Sequence, residues 1–242
     1  AYFNGTPHAM IVRNRMAPRD GVDAYNMISV GSTEGITSED VTVSDNILAC
    51  GLNNCAQFVG TPSAMIARNR MTPADGVATI YIATVQNVAG GATSEDVTFS
   101  DNDMTCGSAS CVFFIGTPRA MITRNRLTAS SPVSGIHVQG TTDGTTDGTR
   151  VEQNTVTTTG RSTPGVNGLF GGIRVRDGKE VVVTDNIVTG PWANSIFVDA
   201  LLGSEVSRND LRGAYQYGIA LATKTSAGPL SVDGLSVRNN KI

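Results

Sequence analysis

One short motif occurs nine times along the 242 residues: an apolar residue, two variable positions, asparagine, one variable position and a second apolar residue. The copies centre on Asn14, Asn46, Asn69, Asn102, Asn125, Asn154, Asn186, Asn209 and Asn240, spaced 32, 23, 33, 23, 29, 32, 23 and 31 residues apart. Self-similarity at such a period is the mark of a stacked repeat architecture, because each unit can bury its apolar face only against its neighbours. No second type of unit is needed to cover the chain.

A short alternating segment precedes each motif, as in "GIHV" (135–138), "GIRV" (172–175), "SIFV" (195–198) and "GIAL" (218–221). Alternation with period two reads as strand, not helix. Two or three short strands per unit, stacked on copies of themselves, predict a parallel β-solenoid of about nine rungs. At an inter-strand spacing of ~4.8 Å, nine rungs make a rod roughly 43 Å long. Glycine-rich composition (27 residues), few aromatics (5%) and many β-branched residues agree with an all-β fold rich in turns. Residues 1–242 are expected to form one domain, with duplicated two-rung units in 1–130 and more divergent rungs in 131–242. The duplication shows in "TSEDVTVSDN" from Thr37 and "TSEDVTFSDN" from Thr93.

The pattern V-x-x-N-x-I followed by G-I-x-V resembles the right-handed parallel β-helix repeat proteins of the pectin-lyase-like superfold. The resemblance spans essentially the whole chain and implies a single-stranded right-handed parallel β-helix. It implies no one activity, since that fold hosts lyases, hydrolases, epimerases, phage tailspikes and inert stalks.

Within such a rung the asparagine falls where the chain turns, a place suited to a residue that tolerates the left-handed conformation and bonds nearby backbone. Stacked asparagines are expected to form a ladder of side-chain amides, a structural device. The residue before each asparagine should point outward. In order these are Arg13, Asp45, Arg68, Asp101, Arg124, Gln153, Asp185, Arg208 and Asn239, so charge alternates over the first five rungs. These arginines should therefore pair with carboxylates one rung away, whereas Arg15, Arg70 and Arg126 remain free to bind something. Met16, Leu48, Met71, Met104 and Leu127 form one inward column, read as core filling.

Four cysteines fall in two matching turns, Cys50/Cys55 in "CGLNNC" and Cys106/Cys111 in "CGSASC". The C-x4-C spacing without a nearby histidine suits zinc poorly. Bridges Cys50–Cys55 and Cys106–Cys111 in an oxidising compartment are one reading; reduced turn cysteines in a cytosolic protein are the other. A bridge between Cys50 and Cys106 would have to cross two rungs, ~9.6 Å, beyond the ~7 Å Cα limit.

Families of this fold use the outer face of one strand stack and its bordering loops. The outward column of the first strand should read Tyr2, Ser29, Gln57, Tyr81, Phe113, His137, Arg174, Phe197 and Ala220, and two residues further on come Gln139, Arg176 and Asp199. Near rungs six to eight these define one exposed patch, with Lys179 in the following turn. His137, Arg174, Arg176, Asp199 and Lys179 are the candidate catalytic residues: cations that can neutralise a uronic-acid carboxylate, beside groups that can move a proton. Tyr2, Phe113, Gln139 and Phe197 are candidate substrate contacts, the aromatic ones by stacking on sugar rings. A solvated face with an ordinary Arg176–Asp199 salt bridge uses the same residues without any ligand. No cofactor is called for. Asp143 and Asp147 in "TTDGTTDG" are a weak calcium candidate, for which a solvated loop is the plainer explanation. The closely spaced aspartates of polygalacturonases, the Asp-Pro-His-Glu of alginate epimerases and the Trp-x-Asp-His of pectate lyases do not occur.

The net charge of −3 argues against a nucleic-acid partner. No apolar run approaches the ~20 residues of a membrane span. The chain opens on Ala1, within a repeat and without a charged-then-apolar leader, as a processed protein or a piece of a longer one would. Open solenoid ends lead us to expect self-association, caps or further rungs. The expected role is a secreted or cell-surface module that binds polysaccharide or serves as a rigid scaffold. The alternative is a polysaccharide lyase or glycoside hydrolase working at His137, Arg176 and Asp199.

Overall fold

The computed structural model describes residues 1–18, 26–33, 35–74, 79, 81–88, 91–107, 110–130, 133–141, 145–162, 171–222, 224–225, 228–229 and 233–242. They form a parallel β-solenoid with three sheets running its length, and no helix occurs among them. The first sheet stacks nine strands: Tyr2–Asn4, Asn26–Gly31, Asn54–Val59, Tyr81–Gln86, Val112–Ile115, Ile136–Gln139, Gly171–Lys179, Asn194–Leu202 and Tyr217–Ala222. The second stacks nine three-residue strands from Met10–Val12 to Ser236–Arg238. The third stacks eight, from Arg15–Met16 to Asp210–Arg212, and Lys241 bridges to Asp210 at its end. Nine rungs are thus present, one per asparagine motif.

The motif determines this geometry position by position. Its first apolar residue points inward from the second sheet, and its last points inward from the third; Ile66 and Met71 are both fully buried. Between them lies a sharp corner. Here the structure corrects the sequence reading, because the left-handed residue is the one before the asparagine. All nine residues from Arg13 to Asn239 at that position have φ between 53° and 60°. The kink turns the asparagine side chain into the solenoid, where Asn46, Asn69, Asn102, Asn125, Asn154, Asn186 and Asn209 are buried. Each of these gives its backbone N–H and its Nδ2 to the Oδ1 of the next asparagine, as Asn69 does to Asn102 at 2.9 and 3.1 Å. Each Nδ2 also reaches back to a carbonyl one rung earlier, in this case that of Val43. A buried amide with every polar atom engaged avoids the desolvation cost that would otherwise exclude it.

Outside the corner, the alternating charges pair in one direction. Arg68, Arg124 and Arg208 each clasp the aspartate one rung before (Asp45, Asp101 and Asp185) through two hydrogen bonds of 2.8–2.9 Å. The guanidinium hydrogen bond holds each of these carboxyls below its usual range.

The interior is a set of apolar stacks. Leu48, Met71, Met104 and Leu127 are buried, with Met16 partly so at the first rung. Phe99 and Phe114 meet edge to face, centroids 5.8 Å apart, across the first and second sheets. Glycine in "GIRV" follows from this packing: a Cβ on Gly172 would sit 2.4 Å from Val188 Cγ1. Both disulfides join within their turns, Cys50–Cys55 and Cys106–Cys111.

Candidate functional site

Strand pairing fixes which side chains share the outer face of the first sheet. The register runs Tyr2, Ser29, Gln57, Thr84, Phe113, His137, Arg174, Phe197, Ala220, with Gln139, Arg176 and Asp199 in the neighbouring column. One position corrects the sequence reading, since Thr84 stands where Tyr81 was placed. The cause is an irregularity at the start of that strand, where the N–H groups of Ile82 and Ala83 both bond the Cys111 carbonyl. Tyr81 pairs with Asn54 instead, yet its ring lies 5.5 Å from that of Phe113.

A continuous stack of flat groups results. Phe113 and His137 lie face to face with centroids 4.5 Å apart, and the Arg174 guanidinium is 5.8 Å from the Phe197 ring centre. Stacking also overturns the expectation of an exposed patch. Successive rungs are only ~4.8 Å apart, so each large planar side chain covers the next. His137 is 7% exposed, Arg174 5%, Phe197 4% and Asp199 2%. Phe113, Gln139 and Arg176 are half-buried and form the accessible margin. Tyr2 is exposed on the first rung, remote from this cluster, and Lys179, expected in a turn, is exposed at the last position of the strand Gly171–Lys179.

Arg176 is the centre of the charged part. Its Nη2 is 3.8 Å from Asp199 Oδ2, the pairing expected from the register, and its Nε is 3.1 Å from Asp177 Oδ2. Asp177 was missed in the sequence because strict alternation points it inward. A left-handed kink (φ 59°) at Asp177, matched by φ 54° at Ala200 on the next rung, breaks the alternation and turns the carboxylate out. His137 Nε2 and Asp199 Oδ1 are buried without a hydrogen-bond partner among the described residues.

Burial, together with Arg174 and Arg176, drives the His137 pKa down to about 3, so its imidazole is neutral. Burial and the adjacent Arg176 lower Arg174 to about 10, still charged at neutral pH. Burial raises both Asp199 and Asp177, against the opposing pull of Arg176. The site therefore gathers a neutral imidazole, two guanidiniums and two carboxyls biased toward holding a proton. Such an arrangement can hydrogen-bond a hydroxyl-rich or carboxylate-bearing ring, and it has groups able to give or take a proton.

Beside it, Thr145, Asp147, Asp177, Gly178, Lys179, Ala200 and Leu202 line a cavity of about 180 Å³. Asp147 Oδ1 accepts the backbone N–H of Lys179 at 2.9 Å, so this member of the calcium candidate pins a turn. Asp143 lies outside the described residues, among which no group of three or more His, Cys, Asp or Glu side chains could hold a metal ion.

The family model described as "Right handed beta helix region" matches residues 78–242, and the chain belongs to this family of right-handed β-helix proteins. No curated protein matches it in sequence. Among solved structures, the periplasmic alginate epimerase AlgG is similar with a TM-score of 0.56 and 14% identity, over 96% of this chain and 51% of that one. DFA-IIIase from Arthrobacter chlorophenolicus A6, in complex with GF2, gives a TM-score of 0.53 and 18% identity, over 89% of this chain and 50% of that one. The chain thus spans about half the length of these structures. At such identities the likeness is one of fold. Among the described residues no helix is long and apolar enough to cross a membrane.

Proposed function

We propose that the chain is a carbohydrate-binding β-helix module whose ligand lies along the outer face of the first sheet, from Tyr81 to Asp199. The observation that carries this reading is the pair of buried polar atoms His137 Nε2 and Asp199 Oδ1, without hydrogen-bond partners among the described residues, on either side of the Arg176 guanidinium. Buried polar groups are normally paired, and a cluster left open on one face calls for a polar ligand. A sugar supplies hydroxyl donors and acceptors at that density, and its ring faces suit the Tyr81–Phe113–His137 stack. Phe113, Gln139, Arg176 and Asp177 form the accessible margin at which it would enter, and Lys179 borders that margin. The fold is shared with an alginate epimerase and with DFA-IIIase, which supports a carbohydrate ligand as a class.

One feature favours a second reading, catalysis at the same place. Asp199 carries a carboxyl raised by burial within 3.8 Å of Arg176, the pairing of a proton-transfer group with a charge-neutralising one. In a lyase or hydrolase Asp199 would move the proton while Arg174 and Arg176 offset developing negative charge. The two disulfides support an oxidising location, at the cell surface or beyond it.

A panel of neutral and acidic polysaccharides separates these readings. Binding without product supports the module. New unsaturated ends, seen by ultraviolet absorbance, or new reducing ends, each lost in Asp199→Asn, support the enzyme. No binding by any member of the panel contradicts both.

A further inference from the structure

The triplet Arg-Asn-Arg occurs three times, at 13–15, 68–70 and 124–126. In the second and third copies the structure divides its two arginines. Arg68 and Arg124 are locked to Asp45 and Asp101. Arg15, Arg70 and Arg126 are exposed on the outer face of the third sheet and make no ion pair within 4 Å among the described residues.

Their placement is regular. The register of that sheet runs Arg15, Ile47, Arg70, Asp103, Arg126, Thr155, so the three cations lie two rungs apart in one straight column. Two rungs correspond to ~9.6 Å along the axis. Two residues further along the strands, Thr72, Thr105 and Thr128 place hydroxyls beside them on the same face. Over these rungs three cations stand against Asp103 alone, which makes this stretch basic in a chain whose net charge is −3; the column ends on Asp210, which is paired with Arg212.

We propose that this face is a second, separate glycan surface, one that takes a linear acidic polysaccharide bearing a carboxylate on every second sugar and running along the solenoid axis. The argument is complementarity of charge and of spacing. An extended pyranose chain advances by close to the height of a rung per sugar, so carboxylates on alternate sugars fall opposite Arg15, Arg70 and Arg126. The intervening sugars lie over Ile47 and Asp103, and the threonine hydroxyls bond ring hydroxyls. Phosphates of a nucleic-acid strand follow one another at ~3.4 Å, which does not match this column. The surface lies on a different sheet from His137 and Asp199 and does not rest on the reading given for them.

The test is equilibrium binding of the full chain to three probes: hyaluronan, with a carboxylate on alternate sugars, uncharged dextran and duplex DNA. The variant replaces Arg15, Arg70 and Arg126 together with glutamine, and a second variant replaces them with lysine. Hyaluronan should bind, more weakly as salt rises. Loss of three exposed ion pairs should weaken it about tenfold in the glutamine variant. The lysine variant should retain most of the binding. Equal hyaluronan binding by wild type and glutamine variant overturns the proposal, as does dextran binding as tightly or DNA binding more tightly than hyaluronan.

Discussion

Asn125 gives two hydrogen bonds to a single atom of Asn154: its backbone N–H and its Nδ2 both lie 3.0 Å from Oδ1. Its own Oδ1 receives the same pair from Asn102, and its Nδ2 also bonds the Phe99 carbonyl. Asn125→Ala therefore strands donors on Asn102 and an acceptor on Phe99, all buried. The expected loss is about 3 kcal/mol, from unsatisfied groups at 1–3 kcal/mol each. Asn14, exposed at the first rung, donates to Asn46 but sits at the ladder's start, and Asn14→Ala should cost about 1 kcal/mol or less. Urea unfolding midpoints check the contrast; equal losses at both sites would contradict a ladder whose interior carries the stability.

Much of this was legible in the sequence, and the exceptions share a physical cause. Strand alternation and motif spacing suffice to place Phe113, His137, Arg174 and Phe197 in one column, because register follows once each rung's inward residues are aligned. Burial of that column was not legible, since it depends on how large neighbours one rung apart cover each other. Tyr81 was misplaced and Asp177 missed for a related reason. Alternation assumes an unbroken strand, and both residues sit where the backbone departs from one. The left-handed corner residue was displaced by one position because the asparagine is needed inside, where its amide is worth more than its tolerance of positive φ.

The depressed pKa of His137 makes stability depend on pH in a defined window. Between its folded value of about 3 and the ordinary 6.5, the unfolded chain binds a proton that the folded chain does not. Stability from this group is therefore complete above pH 6.5 and is lost as pH falls toward 3, by about 5 kcal/mol. Asp177 and Asp199, raised by burial, act in the opposite sense as pH falls through their raised values. The difference between wild type and His137→Gln isolates the histidine. Wild-type stability should fall relative to that of the variant as pH drops below 6, whereas parallel curves from pH 8 to 4 would show that His137 is not buried in neutral form.

Ala200 adopts φ 54° opposite Asp177, a conformation that an L-residue with a Cβ adopts at some cost. Ala200→Gly removes that cost and should stabilise the fold by about 0.5–1 kcal/mol despite glycine's greater unfolded entropy. A thermal melt measures it, and destabilisation would mean the Ala200 methyl contributes more packing than its backbone costs.

Each disulfide closes a short loop, five residues apart in sequence. The chain-entropy argument gives about 2 kcal/mol for each. Cys106→Ala/Cys111→Ala should lower the unfolding free energy by roughly that amount, and reduction of both bridges by about twice it, without unfolding the solenoid at 25 °C. Loss of the β-sheet circular dichroism signal on reduction would contradict a fold held chiefly by its stacked core.

Binding of carbohydrate through Arg176 on the outer face of the first sheet is the core of the proposed function. Its most direct measurement is calorimetric binding of oligosaccharides, neutral and acidic, to wild type, Arg176→Lys and Arg176→Ala. Removing charge-assisted hydrogen bonds worth about 1.5–3 kcal/mol should weaken binding tenfold or more in the alanine variant. Lysine, a point charge without the planar fork, should fall between the two. Binding at the first-sheet face that Arg176→Ala leaves unchanged, or the failure of every oligosaccharide to bind that face, would contradict this reading.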